Sequence, residues 1–89
     1  MKNHLKKTIA LDRRLTTYHL KILLLLDLEE YSQKELSMML NICKQHINKY
    51  VKELENWSYI EVSEKVGNVK YLKILDNYNL EFKGQIKLL

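Results

Sequence analysis

The chain has 89 residues, of which 46% are apolar and 29% are charged. This length supports one hydrophobic core, and the composition is that of an ordinary globular domain, which excludes intrinsic disorder and a coiled coil. The longest aliphatic run, residues 22–26, is far shorter than the roughly 20 apolar residues that span a bilayer. With one cysteine and no apolar stretch typical of a signal peptide, the protein is expected in the reducing cytoplasm.

The net charge of +4 is unevenly distributed along the chain. Residues 1–14 carry five positive side chains and one negative, whereas residues 15–43 carry two positive and four negative. Residues 44–57 and 58–75 each have an excess of one positive charge, and residues 76–89 are neutral overall. Positive charge therefore lies at the N-terminus and in the second half of the chain, where an anionic partner is expected.

Start signals open the first two predicted helices. Thr16 or Thr17 can cap a helix that is apolar almost all round, so we expect this helix to be the most buried one. Ser32 and Glu35 have the spacing of a capping box, in which each side chain bonds the backbone N–H of the other residue. A short second helix is therefore predicted over residues 33–40, and three of its apolar side chains are expected in the core: Leu36, Met39 and Leu40.

A break at residues 41–43 leads into a third predicted helix over residues 44–57, which is amphipathic. Its apolar residues follow the i, i+3, i+4, i+7 spacing of one helix face: Ile47, Tyr50, Val51 and Leu54. The β-rich residues 59–66 and 69–75 come next, separated by Gly67 and Asn68. This pattern predicts a β-hairpin whose two-residue turn needs a positive φ at the glycine.

The two ends of the chain have weaker patterns. Residues 6–11 fit a strand that follows a basic N-terminal arm, and a turn at residues 83–85 would make a small hairpin of the tail. Its four apolar side chains (Leu80, Phe82, Ile86 and Leu88) would then pack against Ile9 and Leu11 in the same chain or across a two-fold dimer. We expect one α+β domain over residues 1–89, with an arm or strand at 1–14, a core at 15–75 and a tail hairpin at 76–89.

Three helices followed by a hairpin, with a short turn before a polar third helix, are typical of a winged helix-turn-helix. Residues 15–75 resemble the DNA-binding core of the MarR-type winged-helix regulators. The matching segments are LT at 15–16, SQKEL at 32–36, NIC at 41–43 and LENWSYI at 54–60. The last of these is similar to the family's Leu-Glu-x-x-Gly-Leu-Ile pattern, which follows the recognition helix.

The chain also departs from the MarR pattern. Ser58 stands where glycine is usual, the hairpin lacks the family's Asp-x-Arg sequence, and the long dimerisation helices of the family are not found beside the core. These departures count against the sensing of a small ligand. The resemblance implies that the protein binds double-stranded DNA, with the third helix in the major groove and the wing on the backbone or in the minor groove.

The exposed face of the third helix is the expected reading surface. Asn48 and Gln45 carry amides that can pair with the edge of an adenine, whereas Lys44 and Lys49 can reach a guanine or a phosphate. A merely solvated polar face is the alternative. We assign five DNA-binding residues to this helix: Lys44, Gln45, Asn48, Lys49 and Lys52.

The wing and the N-terminal arm are expected to add further contacts. The hairpin turn places Lys65 opposite Lys70, and an anionic partner would relieve the repulsion between them. Arg13 and Arg14 suit a narrow minor groove or a flanking phosphate, although a solubilising segment is the alternative. Together with Asn68 at the tip, these residues complete the predicted DNA-binding set.

Other kinds of site have little support in the sequence. The three histidines (His4, His19 and His46) lack the spacing of metal ligands, and no nucleophile–base arrangement or glycine-rich loop is present. We therefore expect no metal, no cofactor and no enzymatic activity. Cys43, at the start of the third helix, is interpreted as a small capping residue rather than a redox switch.

The expected function is sequence-specific binding of double-stranded DNA. The protein would act as a transcriptional regulator or as an accessory factor in plasmid or phage DNA processing, such as a conjugative transfer relaxosome or a replication complex. A second copy, forming a homodimer on DNA, and other DNA-processing or transcription proteins are the further expected partners. The alternative is a winged-helix module that binds proteins through the same faces, without DNA.

Overall fold

The structure, a computed structural model, describes residues 2–75. In chain order its elements are α1 (Asn3–Leu11), α2 (Thr17–Leu28), β1 (Tyr31–Ser32), α3 (Gln33–Leu40), α4 (Lys44–Asn56), β2 (Ile60–Val66) and β3 (Val69–Ile74). The strands form one antiparallel sheet in the order β1-β3-β2. The predicted winged arrangement is confirmed, since α3 and α4 form the helix-turn-helix and the β2–β3 hairpin forms the wing.

The N-terminal segment is helical over Asn3–Leu11, so the strand predicted over residues 6–11 is wrong. Leu5 and Ile9 lie one turn apart on α1 and are both buried, while Leu11 is exposed. The i, i+4 spacing of the buried pair has the period of a helix, and it outweighs the alternation of residues 9 and 11 that suggested a strand. The predicted tail hairpin lies outside the described residues.

The core is built on one face of α2 and closed by the other elements. Ile22, Leu23 and Leu26 of this helix are buried together with Leu36 of α3 and Leu72 of β3. The prediction that α2 is the most buried helix is confirmed, since it has four buried residues, more than any other helix among residues 2–75. The apolar residues on its other side are exposed: Leu20, Leu24 and Leu28. Among residues 2–75, no helix is long and apolar enough to span a membrane.

The helix-turn-helix has well-defined ends. The predicted capping box is present, because Ser32 N–H donates to Glu35 Oε1 at 2.9 Å and Glu35 N–H donates to Ser32 Oγ at 3.1 Å. The helix α3 ends at Leu40. The next residue, Asn41, has the left-handed backbone conformation (φ 55°) that asparagine tolerates better than most residues. Met39, expected in the core, is exposed instead, since α3 buries only the face that carries Leu36.

A buried histidine connects α2 with α4. His19 Nδ1 accepts from the backbone N–H of Thr16 at 2.8 Å, and this N–H can only donate, so Nδ1 carries no proton. The proton therefore lies on Nε2, which donates to Glu53 Oε1 at 2.9 Å. His19 thus completes the N-terminal cap of α2. It also orients α4, because the Tyr50 ring of that helix lies edge-on to the His19 ring, with 5.1 Å between the ring centroids.

The backbone conformation of Ser58 explains why glycine is usual at this position in the family that the chain resembles. Ser58 has φ 65°. Its N–H donates to the carbonyl of Glu55, and the N–H of Tyr59 donates to the carbonyl of Leu54. This pattern is a Schellman motif, which ends a helix with one residue in the left-handed conformation. A side chain at this residue is strained, since its Cβ lies too close to a carbonyl oxygen.

Replacing Ser58 by glycine is therefore expected to stabilise the domain. The relief of this strain is worth about 1 kcal/mol, which raises the Tm of a domain of this size by about 4–8 °C. Thermal unfolding followed by circular dichroism measures the change. Ser58→Ala is the matched control, because it removes the hydroxyl but keeps the Cβ; a glycine variant no more stable than the alanine variant would contradict the prediction.

Candidate nucleic-acid interface

A groove of about 740 Å³ lies between the helix-turn-helix and the wing. One wall is α3, the floor is the beginning of α4, and the other wall is the tip of the hairpin. Three of the described residues that line it are lysines (Lys34, Lys44 and Lys70), and none of them is acidic. The described lining therefore carries a net positive charge, and polar amides lie beside its lysines: Gln33, Asn48 and Asn68.

The predicted residues of α4 share its exposed face. Lys44 and Asn48 lie one turn apart and line the groove, while Gln45, Lys49 and Lys52 are exposed beside them. The helix is held in place from the other side, where Ile47, Val51 and Leu54 are buried. The amphipathic pattern of the sequence thus separates the core-facing side of α4 from its solvent-facing side.

The wing has the predicted register. Lys65 pairs with Lys70 across β2 and β3, and Gly67 has the expected positive φ of 62°. Residues directly opposite each other in an antiparallel pair have side chains on the same face, so Lys65 adds positive charge beside Lys70, which lines the groove. Asn68, at the tip, also lines the groove.

The two arginines lie elsewhere in the structure. Arg13 and Arg14 are exposed in the turn between α1 and α2. The Arg14 guanidinium bonds the Asp12 carboxylate through Nη2 at 2.7 Å and lies 4.6 Å from the ring centroid of Trp57. Trp57 caps the C-terminus of α4, which is about 20 Å from its N-terminus, so Arg14 lies at the far end of this helix from the groove.

The contacts around Asp12 link the α1–α2 turn to the end of α4. Hydrogen bonds from Arg14 and then from Tyr59, whose hydroxyl donates to Oδ2 at 2.6 Å, hold the pKa of Asp12 well below its usual range. Burial, followed by the bond to this carboxylate, raises the pKa of Tyr59 to about 12. Arg14 therefore has a structural partner in the folded protein.

Four groove residues of α3 were not predicted from the sequence: Gln33, Lys34, Ser37 and Met38. The capping box accounts for the start of this helix, and its neighbours were interpreted only as parts of a short supporting helix. Their spacing does contain a signal, because residues 33 and 37, like residues 34 and 38, lie one turn apart on one side of a helix.

No protein-family model matches the chain, and no curated protein matches it significantly in sequence. Solved structures do match. The adhesin competence repressor AdcR from Streptococcus pyogenes is 19% identical, with a TM-score of 0.67 over 97% of this chain and 73% of that one. The transcriptional regulator HlyU from Vibrio vulnificus is 23% identical, with a TM-score of 0.70 over 97% of this chain and 85% of that one.

HlyU from Vibrio cholerae has the same identity and TM-score, over 98% of this chain and 90% of that one. These neighbours are winged-helix proteins. The chain therefore has the winged helix-turn-helix fold, and the resemblance noted in the sequence is confirmed at the level of the fold.

Proposed function

We propose that this protein binds double-stranded DNA in a sequence-specific manner and acts as a transcriptional regulator. The observation that carries the proposal is the groove between α4 and the wing, where three lysines and three amides are gathered without an acidic residue among the described lining. Lysines attract the phosphate backbone, whereas side-chain amides can distinguish base edges.

The arrangement suits one way of docking on a duplex. The exposed face of α4 enters the major groove, and the wing lies across the neighbouring backbone or minor groove. The sugar-phosphate backbone between the major and minor grooves of the DNA then passes between α4 and the hairpin, close to Lys44 and Lys70. In the proposed complex, Gln45, Asn48 and Lys49 contact bases. Lys52, Lys65 and Asn68 contact the DNA backbone. Arg13 and Arg14 are proposed as outlying phosphate contacts only.

Two of the similar solved structures support the regulatory role, since their names describe a repressor and a transcriptional regulator. We propose that the protein works in the cytoplasm without enzymatic activity. An accessory role in plasmid or phage DNA processing, alongside other proteins on DNA, is a second hypothesis. It rests on a composition rich in Lys, Asn, Ile and Leu, with two Arg and one Ala, which suggests an AT-rich coding source.

Selection of bound duplexes from a random library, followed by gel shift of the recovered site, tests the proposal. Asn48→Ala or Gln45→Ala is expected to cost about 1–3 kcal/mol on the selected site and little on random DNA. Lys70→Ala is the matched control, because a lost phosphate contact weakens both duplexes alike. Equal losses on both duplexes for all three variants would show that α4 does not read the sequence. Partner binding that is insensitive to salt, without any shift of DNA, would indicate the protein-binding module instead.

We further propose that the protein binds its site as a homodimer. Leu20, Leu24 and Leu28 follow one another at intervals of one turn along α2 and are 39%, 63% and 76% exposed. Leucines so exposed in a continuous row are typical of an interaction surface, and a second copy can cover the row symmetrically.

Leu24→Glu is expected to convert a dimeric complex with DNA into a monomeric one, because a charge would be buried in the interface. Analytical ultracentrifugation of the protein with its selected duplex measures the stoichiometry. Met39→Glu places the same charge on an exposed apolar residue of α3 and is expected to leave the stoichiometry unchanged. A wild-type complex that already contains one copy would refute the dimer.

A further inference from the structure

Two side-chain amides meet across the helix-turn-helix inside the groove. Gln33 is the first residue of α3, and Asn48 lies in the second turn of α4. Gln33 Nε2 donates to Asn48 Oδ1 at 3.4 Å, and both residues line the groove. Neighbouring residues fix the two helices, since Leu36 and Ile47 are buried in the shared core.

This hydrogen bond restricts what Asn48 can present to a ligand. An amide has two N–H donors on its nitrogen and two lone pairs on its oxygen. The bond from Gln33 uses one lone pair of Oδ1, so a ligand can still use the second lone pair and both N–H groups of Nδ2. At 3.4 Å the bond is longer than the roughly 2.7–3.2 Å usual for N–H···O bonds and is exposed to solvent, so it favours one orientation of the Asn48 amide without locking it.

The favoured orientation matches one base. Adenine presents an acceptor (N7) and a donor (the 6-amino group) to the major groove, whereas guanine presents two acceptors (N7 and O6). In this favoured orientation, Asn48 can donate from Nδ2 to adenine N7 and accept at Oδ1 from the 6-amino group. Against guanine the same Oδ1 would face O6, and two acceptors repel each other.

We infer that Gln33 is a positioning residue that makes Asn48 select adenine over guanine at one base pair of the bound site. The inference rests on the proposed function, since it assumes that α4 reads DNA. Gln33 acts through Asn48 and does not itself need to touch the base. A residue outside the recognition helix thereby contributes to specificity.

The experiment measures a ratio of affinities for two duplexes, so that effects on overall affinity cancel. The first duplex is the selected site. In the second duplex one A·T pair is replaced by G·C, at the position where the wild-type protein distinguishes these two base pairs and Asn48→Ala does not. Gln33→Ala is expected to reduce the wild-type ratio about three- to ten-fold, the value of one hydrogen bond of modest strength. In the Asn48→Ala background, the same substitution is expected to change nothing further.

Two further variants separate positioning from other roles. Gln33→Glu has nearly the same shape but cannot donate the hydrogen bond, so it is expected to lower the ratio as alanine does. Lys34→Ala, the neighbouring groove residue, is expected to weaken binding to both duplexes and to leave the ratio unchanged.

A modified base tests the contact of Asn48 with adenine N7. With 7-deazaadenine, which lacks the N7 acceptor, the wild-type protein is expected to lose affinity and Asn48→Ala to lose none.

Each outcome bears on a distinct claim. A wild-type protein that does not discriminate between any duplexes refutes the proposed function, and the inference with it. A protein that discriminates through Asn48 but keeps its ratio in Gln33→Ala leaves the function intact and overturns the inference. Loss of discrimination at a different base pair in Gln33→Ala also overturns it, because Gln33 would then read a base directly.

Discussion

Binding to duplex DNA is expected to weaken by about 10²–10⁴-fold when the salt concentration rises from 50 to 200 mM. Each phosphate contact releases condensed counterions and gives a slope of about −0.9 in a plot of log K against log salt concentration. We expect about four to eight such contacts per protomer, from the lysines of the groove, the exposed face of α4 and the wing. Fluorescence anisotropy of a labelled duplex over a salt series gives the slope.

Two lysines on the wing provide a matched pair of variants. Lys70 lines the groove. Lys73 is three residues further along β3, so its side chain lies on the opposite face of the sheet. Its Nζ is 3.4 Å from the Glu61 carboxylate. Lys70→Ala is expected to reduce the size of the slope by about 1, and Lys73→Ala to leave it unchanged. A wild-type affinity that does not vary over this range of salt would refute DNA binding through the groove.

Leu36→Ala is expected to lower the free energy of unfolding by about 2–5 kcal/mol. Leu36 is fully buried at the centre of α3, and its truncation leaves a cavity in the core beneath the helix-turn-helix. The loss is a large part of the about 5–15 kcal/mol that stabilise a typical domain. Urea denaturation measures it through the shift of the midpoint at constant m-value.

Met38→Ala serves as the control for this truncation. Met38 lies on the same helix but is 71% exposed, so its replacement is expected to change the free energy of unfolding by no more than about 0.5 kcal/mol. If the two alanine variants were equally stable, α3 would not be held by the core as the structure has it.

Local signals in the sequence were sufficient for the helix-turn-helix and the wing. The capping box of Ser32 and Glu35, the spacing of the buried residues of α4, and Gly67 at the turn each depend on residues close together in the chain. The two-residue strand β1 was not predicted, because it is defined by its pairing with Leu72 and Tyr71, which lie about forty residues further along the chain. The helix α1 was missed because just two of its residues, Leu5 and Ile9, are buried among residues 2–75, which is too short a pattern to show the helical period.

The site was predictable in part for the same reason. Residues of α4 and the wing were identified by their charge and by the exposed face of a periodic pattern. The α3 side of the groove was not identified, because Gln33 meets Asn48 only through the crossing of two helices. Conversely, Arg14 was assigned to DNA from its charge alone, whereas its proximity to Trp57 depends on where α4 ends. Sequence spacing specifies faces of elements, but it does not specify which faces meet.

The bond from His19 to Glu53 bears on the geometry of the DNA target. It joins α2 to α4, and α2 also carries the exposed leucine row that is proposed to bind a second copy. Two copies joined through this row would hold their recognition helices at a fixed separation and rotation, without a flexible hinge between dimer contact and reading surface. Such a dimer fits paired half-sites about 10 base pairs apart, centre to centre, or a multiple of this. One inserted base pair would turn the second half-site away from its helix, so the spacer length would matter as much as the bases themselves.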